Sequence, residues 1–438
     1  MIIFIIAFFL FLLVMGFPIM VSLGIPAIIY SIIKNLPPSL ISYSMYQALH
    51  SFPLIASPLF ILVGSLVNEF GETELIYNFA RILLRKKRGY TARLNILVSL
   101  IFAGISGAAV ADIAGLGQIE ISAMEKEGFS KPYGCALTAA TSIVGPIFPP
   151  SIPLIIYAVT ANVSTLRVLI AGIIPALCIA GVMYLFINFQ IPSKLQFIRK
   201  KSIRNSLDNI NNQIYKEERD GFIFVFKKVL PILLLIPLII FSMLFGVLSP
   251  SEAGAGAIIY ILLVEILKGK FKFKKFYKSI VYTYKTTSTI FIIIALASFF
   301  MKVLTLEGFT QLLTTWFLNI SQNPIIVLLL INLLVLIVGM FMETVVSIII
   351  LTPILLTITN SIGIDPIHLG IILVYNLEIG MFTPPFGVGV FTVSIVGGVS
   401  PDKVFKELLV LYIPLIIALI IITYMPQISL FLPKLLFG

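Results

Sequence analysis

Gly145-Pro-Ile-Phe-Pro-Pro-Ser151 interrupts an otherwise apolar run, and Gly380-Met-Phe-Thr-Pro-Pro-Phe-Gly387 interrupts another. The two lie 235 residues apart, so Gly145 maps onto Gly380, Pro149 onto Pro384 and Pro150 onto Pro385; the same offset carries Gly128 onto Gly363. Proline has no N–H and clashes with the carbonyl four residues back. Pro149 and Pro150 are therefore expected to free the carbonyls of Gly145 and Pro146, and Pro384 and Pro385 those of Gly380 and Met381. A bare carbonyl in hydrocarbon is costly unless something satisfies it. Breaks at matching places in two halves point to the ion or substrate site of a secondary transporter.

The composition agrees with a chain in lipid. Of 438 residues, 59% are hydrophobic and 11% charged, with a mean hydropathy of +1.10. A soluble domain could not hide that much apolar surface, so the fold class is an all-α polytopic membrane protein. A net charge of +11 would suggest nucleic acid in a soluble chain. Here the basic residues cluster in loops, where they orient spans, and no nucleic-acid partner is expected. Cys135 and Cys178 fall in apolar runs and form no metal or disulfide pattern; His50 and His368 are too separated for a metal or triad. The apolar start from Ile2 reads as a retained membrane segment rather than a signal peptide.

Residues 2–34 read either as two short spans turning at Gly16-Phe17-Pro18 or as one kinked helix. Residues 35–52 read as loop and 53–68 as a span. Gly71 to Arg88 has Leu75, Ile76, Phe79, Ile82 and Leu83 at helical spacing and ends in Arg85, Lys86, Lys87 and Arg88, the pattern of an interfacial arm helix. Residues 94–124 are broken at Gly104-Ile-Ser-Gly-Ala-Ala-Val-Ala-Asp112 and flanked by Arg93, Lys126 and Lys131. Basic residues at both ends suit a re-entrant hairpin whose tip is buried against protein. A broken helix at 133–160 follows, then spans at 167–190, 229–247, 252–267 and 279–302, with basic loops at 193–228 and 268–278. The pattern then recurs: an arm helix at 308–319, a hairpin over 324–358 interrupted at Gly339-Met-Phe-Met-Glu343-Thr344, a broken helix at 366–397, and a last span at 408–432.

The loops 81–93, 126–131, 194–228, 268–285 and 403–406 hold all of the 30 Lys and Arg except Lys34, Arg167, Lys302 and Lys434. The positive-inside rule puts those loops in the cytoplasm. Five spans between the hairpins, an odd number, make the second repeat inverted. The expected domains are scaffold and arm at 1–93, a first transport repeat at 94–166, scaffold and second arm at 167–323, a second transport repeat at 324–400, and a terminal span at 401–438.

The carbonyls of Gly145, Pro146, Gly380 and Met381 are hard oxygen donors without net charge, suited to Na⁺, and the Ser106 and Thr383 hydroxyls stand near them in sequence. Asp112 and Glu343 sit near the two tips. An acid in the bilayer is a functional candidate by default; each either enters an ion shell or caps a half-helix N-terminus. Glu378 has no counterpart in the first half and reads as a local pairing residue or a ligand contact. Asn376 is placed to bond substrate or hairpin, and Ser151 closes the first break with a hydroxyl. Helix N-termini at the tips favour an anionic substrate held together with Na⁺.

At these motifs the chain resembles the large membrane subunit of tripartite ATP-independent periplasmic (TRAP) transporters. The matching residues are Pro58-Leu-Phe with Gly64; Gly104 to Asp112; Met124 with Gly128-Phe; Gly145 to Ser151; Gly363-Ile-Asp-Pro-Ile-His-Leu-Gly370; and Gly380 to Gly387. The resemblance implies an importer of organic acids that is no enzyme, has Na⁺ as coupling ion and no organic cofactor, and works by an elevator motion in a bacterial cytoplasmic membrane. It implies two partners, a small four-helix membrane subunit and an extracytoplasmic substrate-binding protein. It maps a first sodium site onto Ser106, Gly145 and Pro146, with Phe148 and Asp112 beside them. A second falls around Gly339, Glu343, Gly380, Met381 and Thr383. Gly107, Ser151, Asn376 and Pro384 are the substrate candidates. One position departs: Ala108 stands where the family often carries a second tip serine.

A stand-alone Na⁺/carboxylate symporter of related architecture is the alternative. An intramembrane aspartyl protease built on Asp112 and Glu343 lacks the Gly-x-Gly-Asp-like loop that its chemistry needs. The substrate stays open among sialic acids, C4-dicarboxylates and other oxo or hydroxy acids.

Overall fold

The computed structural model describes residues 1–84, 89–194 and 221–438. Every regular element among the described residues is a helix, and eight helical segments are long and apolar enough to cross a bilayer. Arg85 to Arg88 and most of the basic loop 193–228, including Arg199, Lys200, Lys201 and Arg204, lie outside the described residues.

Ile2–Val14 and Ile19–Ile33 are two helices packed on each other, not one kinked helix. Gly16 turns the chain between them at φ 81°, which glycine adopts without steric cost. Residues 35–52 are not loop: they form Pro38–Leu49, which packs on the long helix Phe273–Leu306. Proline at the first helical position lacks only an N–H that had no partner there. The loop expected at 268–278 is shorter than that, because the helix begins at Phe273 and takes up its second half. The last span is two helices, Pro401–Tyr424 and Pro426–Phe437. Pro426 cannot donate to the preceding turn, so it starts a new helix.

Each half then shows one order of elements. In the first, the arm Glu72–Leu84 precedes a hairpin of Tyr90–Ser106 and Ala109–Glu127 and a broken helix of Lys131–Ser142 and Ile152–Ala161. In the second, the arm Phe309–Ile320 precedes a hairpin of Pro324–Phe341 and Thr344–Ser361 and a broken helix of Pro366–Met381 and Val388–Gly397. The far limbs exchange partners. Ile152–Ala161 packs on Thr344–Ser361, and Val388–Gly397 packs on Ala109–Glu127. Val388–Gly397 also packs on Lys131–Ser142, closely enough that a Cβ on Gly397 would stand 2.3 Å from the Cys135 sulfur.

Glu127 closes the base of the first hairpin. Its carboxylate accepts the N–H groups of Gly89, Tyr90 and Thr91 at 2.6, 3.1 and 2.9 Å, so the end of one hairpin helix caps the start of the other. Glu127→Ala strands these donors and should cost about 1–3 kcal/mol, read as a lower melting temperature of the purified protein. Glu127→Gln, which keeps an acceptor, should lose less.

Candidate ion and substrate site

The first hairpin turns at Gly107, with φ 63°, and Ala108, which is extended. Its tip docks onto the first break. The Gly107 carbonyl accepts the N–H of Ile152 at 3.2 Å, and a Cβ on Gly107 would stand 2.3 Å from the Pro150 carbonyl oxygen. On its other side the tip leans on Pro53 to Phe70 territory at Gly64, where a Cβ would lie 3.3 Å from the Ser106 Cα. Ser106 ends one helix and donates its hydroxyl to Asp112 Oδ1 in the first turn of the next. Asp112 is 2% exposed, and its Oδ2 has no hydrogen-bond partner. That oxygen sits directly over Gly145, 2.5 Å from where a Cβ would be. Three residues expected in one site from sequence, Ser106, Asp112 and Gly145, are thus in contact.

The first break is wider than a proline kink. The helix stops at Ser142, and tight turns carry the chain through residues 143–148. No donor among the described residues reaches the Gly145 carbonyl. The Pro146 carbonyl is not bare, however: the Ser151 hydroxyl donates to it. Ser151 also accepts the Leu154 N–H at 3.1 Å, capping Ile152–Ala161. Its hydroxyl therefore holds the break together.

The second break is shorter, because Pro366–Met381 runs to its last expected residue. The Gly380 carbonyl is also not bare. It accepts the Thr383 N–H at 2.8 Å, since a turn closes as soon as the helix ends. A carbonyl has two lone pairs, so one remains on both Pro146 and Gly380. No donor among the described residues reaches the Met381 carbonyl, and the Thr383 hydroxyl bonds the Ile379 carbonyl at 2.8 Å. Tyr412 donates to the Phe382 carbonyl at 2.6 Å. Gly339 and Gly380 mark where Pro324–Phe341 crosses Pro366–Met381. A Cβ on Gly380 would stand 2.7 Å from the Gly339 Cα, the close approach that small residues permit between membrane helices.

The two acids near the tips differ. Glu343 caps Thr344–Ser361, accepting the N–H groups of Val345 and Val346 at 3.0 and 3.4 Å. Asp112 makes no such cap and is held by Ser106 instead. Asn376 donates to the backbone and side-chain oxygens of Asn332 at 2.8 Å each, so it ties the broken helix to the second hairpin. Glu378 is buried with Oε2 unpartnered, interacts with Thr344, and lies within electrostatic range of both Glu343 and Asp112. The two junctions therefore share one buried region. They are not equivalent: Pro149 and Pro150 are buried, whereas Pro384 and Pro385 are exposed.

Sequence reasoning missed a polar group behind the first tip, made of Asn95, Ser99, Glu120, Thr138 and Thr141. Glu120 lies on Ala109–Glu127, eight residues beyond Asp112. The signal lay in helical spacing: Asn95 and Ser99 are four apart, and Thr138 and Thr141 three apart.

Residues 6–428 match the family described as "Tripartite ATP-independent periplasmic transporter, DctM component". The chain belongs to this family. It is 35% identical to the sialic acid TRAP transporter large permease protein SiaM of Vibrio cholerae, over 97% of this chain and 96% of that one. It is 31% identical to the C4-dicarboxylate TRAP transporter large permease protein DctM of Pseudomonas aeruginosa, over 90% of this chain and 89% of that one. The fold is similar to that of Neisseria gonorrhoeae MtrF, with a TM-score of 0.56 at 11% identity, over 89% of this chain and 83% of that one. The chain is thus a TRAP large permease, a transporter subunit of the bacterial cytoplasmic membrane and not an enzyme.

Gly107→Ala tests the docked tip. The added carbon meets the Pro150 backbone and a left-handed φ at once. Two such penalties, about 1–3 kcal/mol each, should reduce uptake by about tenfold or more while the protein still inserts, checked by transport in vesicles against membrane abundance.

Proposed function

We propose that this permease imports an organic acid on a Na⁺ gradient, as the large subunit of a binding-protein-dependent TRAP transporter. The observation that carries the reading is the unpartnered, buried Oδ2 of Asp112 facing Gly145. A desolvated carboxylate oxygen is costly until a cation offsets it. Ser106, Asp112, Gly145 and Pro146, with Phe148 alongside, would hold one Na⁺. Gly339, Glu343, Gly380, Met381 and Thr383 would hold a second, through lone pairs that the turn and the cap leave free. Ala108 supplies no hydroxyl to the first of these.

The organic acid is assigned to the second junction, where Pro384 is exposed and Val388–Gly397 directs its N-terminus. Gly107 and Ser151, at the first junction, and Asn376, on the second broken helix, would be the further substrate contacts. Sialic acid and C4-dicarboxylates, named for two of the relatives, are both carboxylates, which supports an organic acid as the substrate. A small four-helix membrane subunit and an extracytoplasmic binding protein complete the transporter. Residues 94–166 and 324–400 act as two inverted transport repeats, moving as an elevator against a scaffold of 1–93, 167–323 and the terminal span 401–438. The exchange of far limbs between the halves supports their moving as one body.

The test is uptake by the reconstituted three-part system. Replacing Na⁺ by choline should abolish it; unchanged uptake would refute the sodium reading. Asp112→Asn should raise the Na⁺ concentration for half-maximal uptake by about tenfold or more, each tenfold being about 1.4 kcal/mol. Uptake that needs no binding protein would instead identify a stand-alone symporter.

A further inference from the structure

The first hairpin holds a second buried acid that the sodium sites above do not use. Glu120 lies on Ala109–Glu127, about 12 Å beyond Asp112 at 1.5 Å rise per residue. It is 2% exposed. Its Oε2 accepts the Asn95 side-chain N–H at 2.8 Å and the Thr138 hydroxyl at 3.2 Å. Thr141 faces Asn95 Oδ1 at 2.6 Å, and Ser99 donates to Thr141 at 3.1 Å. These groups come from three helices: Asn95 and Ser99 from Tyr90–Ser106, Thr138 and Thr141 from Lys131–Ser142, and Glu120 from the helix between.

The two oxygens of Glu120 are treated unequally. Both hydrogens offered to the carboxyl group converge on Oε2. Oε1 is buried and has no hydrogen-bond partner. No ion pair among the described residues includes Glu120. A desolvated anionic oxygen with nothing against it is costly. A monovalent cation at Oε1 removes that cost, and a carboxylate oxygen is a hard donor for it. Asp112 repeats the arrangement at the tip, with Oδ1 bonded by Ser106 and Oδ2 unpartnered.

We propose that Glu120, with Asn95, Thr138 and Thr141, forms a further Na⁺ station inside the first hairpin, behind the one at the tip. This rests on the reading of the permease as Na⁺-coupled.

Equilibrium binding of radiosodium to the full-length permease, purified with its membrane partner in lipid nanodiscs, tests it. Glu120→Gln should bind one Na⁺ fewer per chain than wild type. Asp112→Asn should lose a different one, so the double variant loses two. Thr138→Val leaves the acid in place and should weaken one Na⁺ by about tenfold, about 1.4 kcal/mol; it decides the matter if Glu120→Gln does not fold. If wild type binds Na⁺ and both Glu120→Gln and Thr138→Val match it in number and affinity, Glu120 is held neutral by a proton and the station is overturned. If wild type binds no Na⁺, the sodium-coupled reading itself fails and the station with it.

Discussion

Backbone that leaves a helix inside a bilayer must find its hydrogen-bond partners within the protein. Two stretches of this chain leave a helix there, residues 143–151 and 382–387. Much of the surrounding architecture supplies what they lack. The first hairpin tip accepts the Ile152 N–H through Gly107. Ser151 returns its hydroxyl to Pro146, and Tyr412 reaches across from Pro401–Tyr424 to Phe382. Glycines at 107, 339 and 380 let backbone approach backbone around the breaks, and Gly145 leaves room for the Asp112 carboxylate. A Cβ at any of them would push apart the surfaces that satisfy the breaks.

The proline pairs, and the glycine-rich interruptions ahead of them, were legible in the sequence because a proline in an apolar run has one mechanical consequence. The order of arm, hairpin and broken helix follows from them. The contact among Ser106, Asp112 and Gly145 was legible as a list of residues though not as a geometry. Which carbonyls stay free was harder to read. Proline removes one donor, but Ser151 and the Thr383 N–H supply others, and those depend on turn geometry rather than composition. Helices at Pro38–Leu49 and from Phe273 were missed because polarity was read as loop. Both pack one face on neighbours, so tertiary contact overrides their polar composition.

The two halves share an order of elements and differ in how their junctions close. The first tip is bonded to its break, and its proline pair is buried. The second has its tip occupied by the Glu343 cap, its prolines exposed, and a Phe341–Phe386 ring contact at 5.7 Å between tip and break. An apolar contact between rings is less directional than a hydrogen bond. It tolerates a small separation of tip from break that the Gly107–Ile152 bond would not. The accessible junction is therefore the one whose closure costs least to undo, which suits a side from which a substrate comes and goes.

On the proposed reading, charge orders the events at these junctions. Asp112, Glu120 and Glu378 each leave one buried oxygen without a partner, and Glu378 and Asp112 lie within electrostatic range of each other. At an effective dielectric constant near 20, two like charges about 12 Å apart, the spacing of Asp112 and Glu120 along their helix, repel by about 1.4 kcal/mol. An organic anion approaching Pro384 adds to that repulsion rather than relieving it. On the proposed reading, cations must offset the acids before the anion is held, so Na⁺ binding precedes substrate binding. The bond from Ser106 to Asp112 Oδ1 links this order to the fold, because the residue just before the hairpin turn fixes the carboxylate whose Oδ2 is left unpartnered. An ion at Asp112 would tighten the tip onto Gly145 and stiffen the helix Ala109–Glu127, on which Val388–Gly397 packs. Coupling then needs no separate relay: the hairpin tip that accepts the Ile152 N–H also carries the carboxylate whose charge the ion would offset.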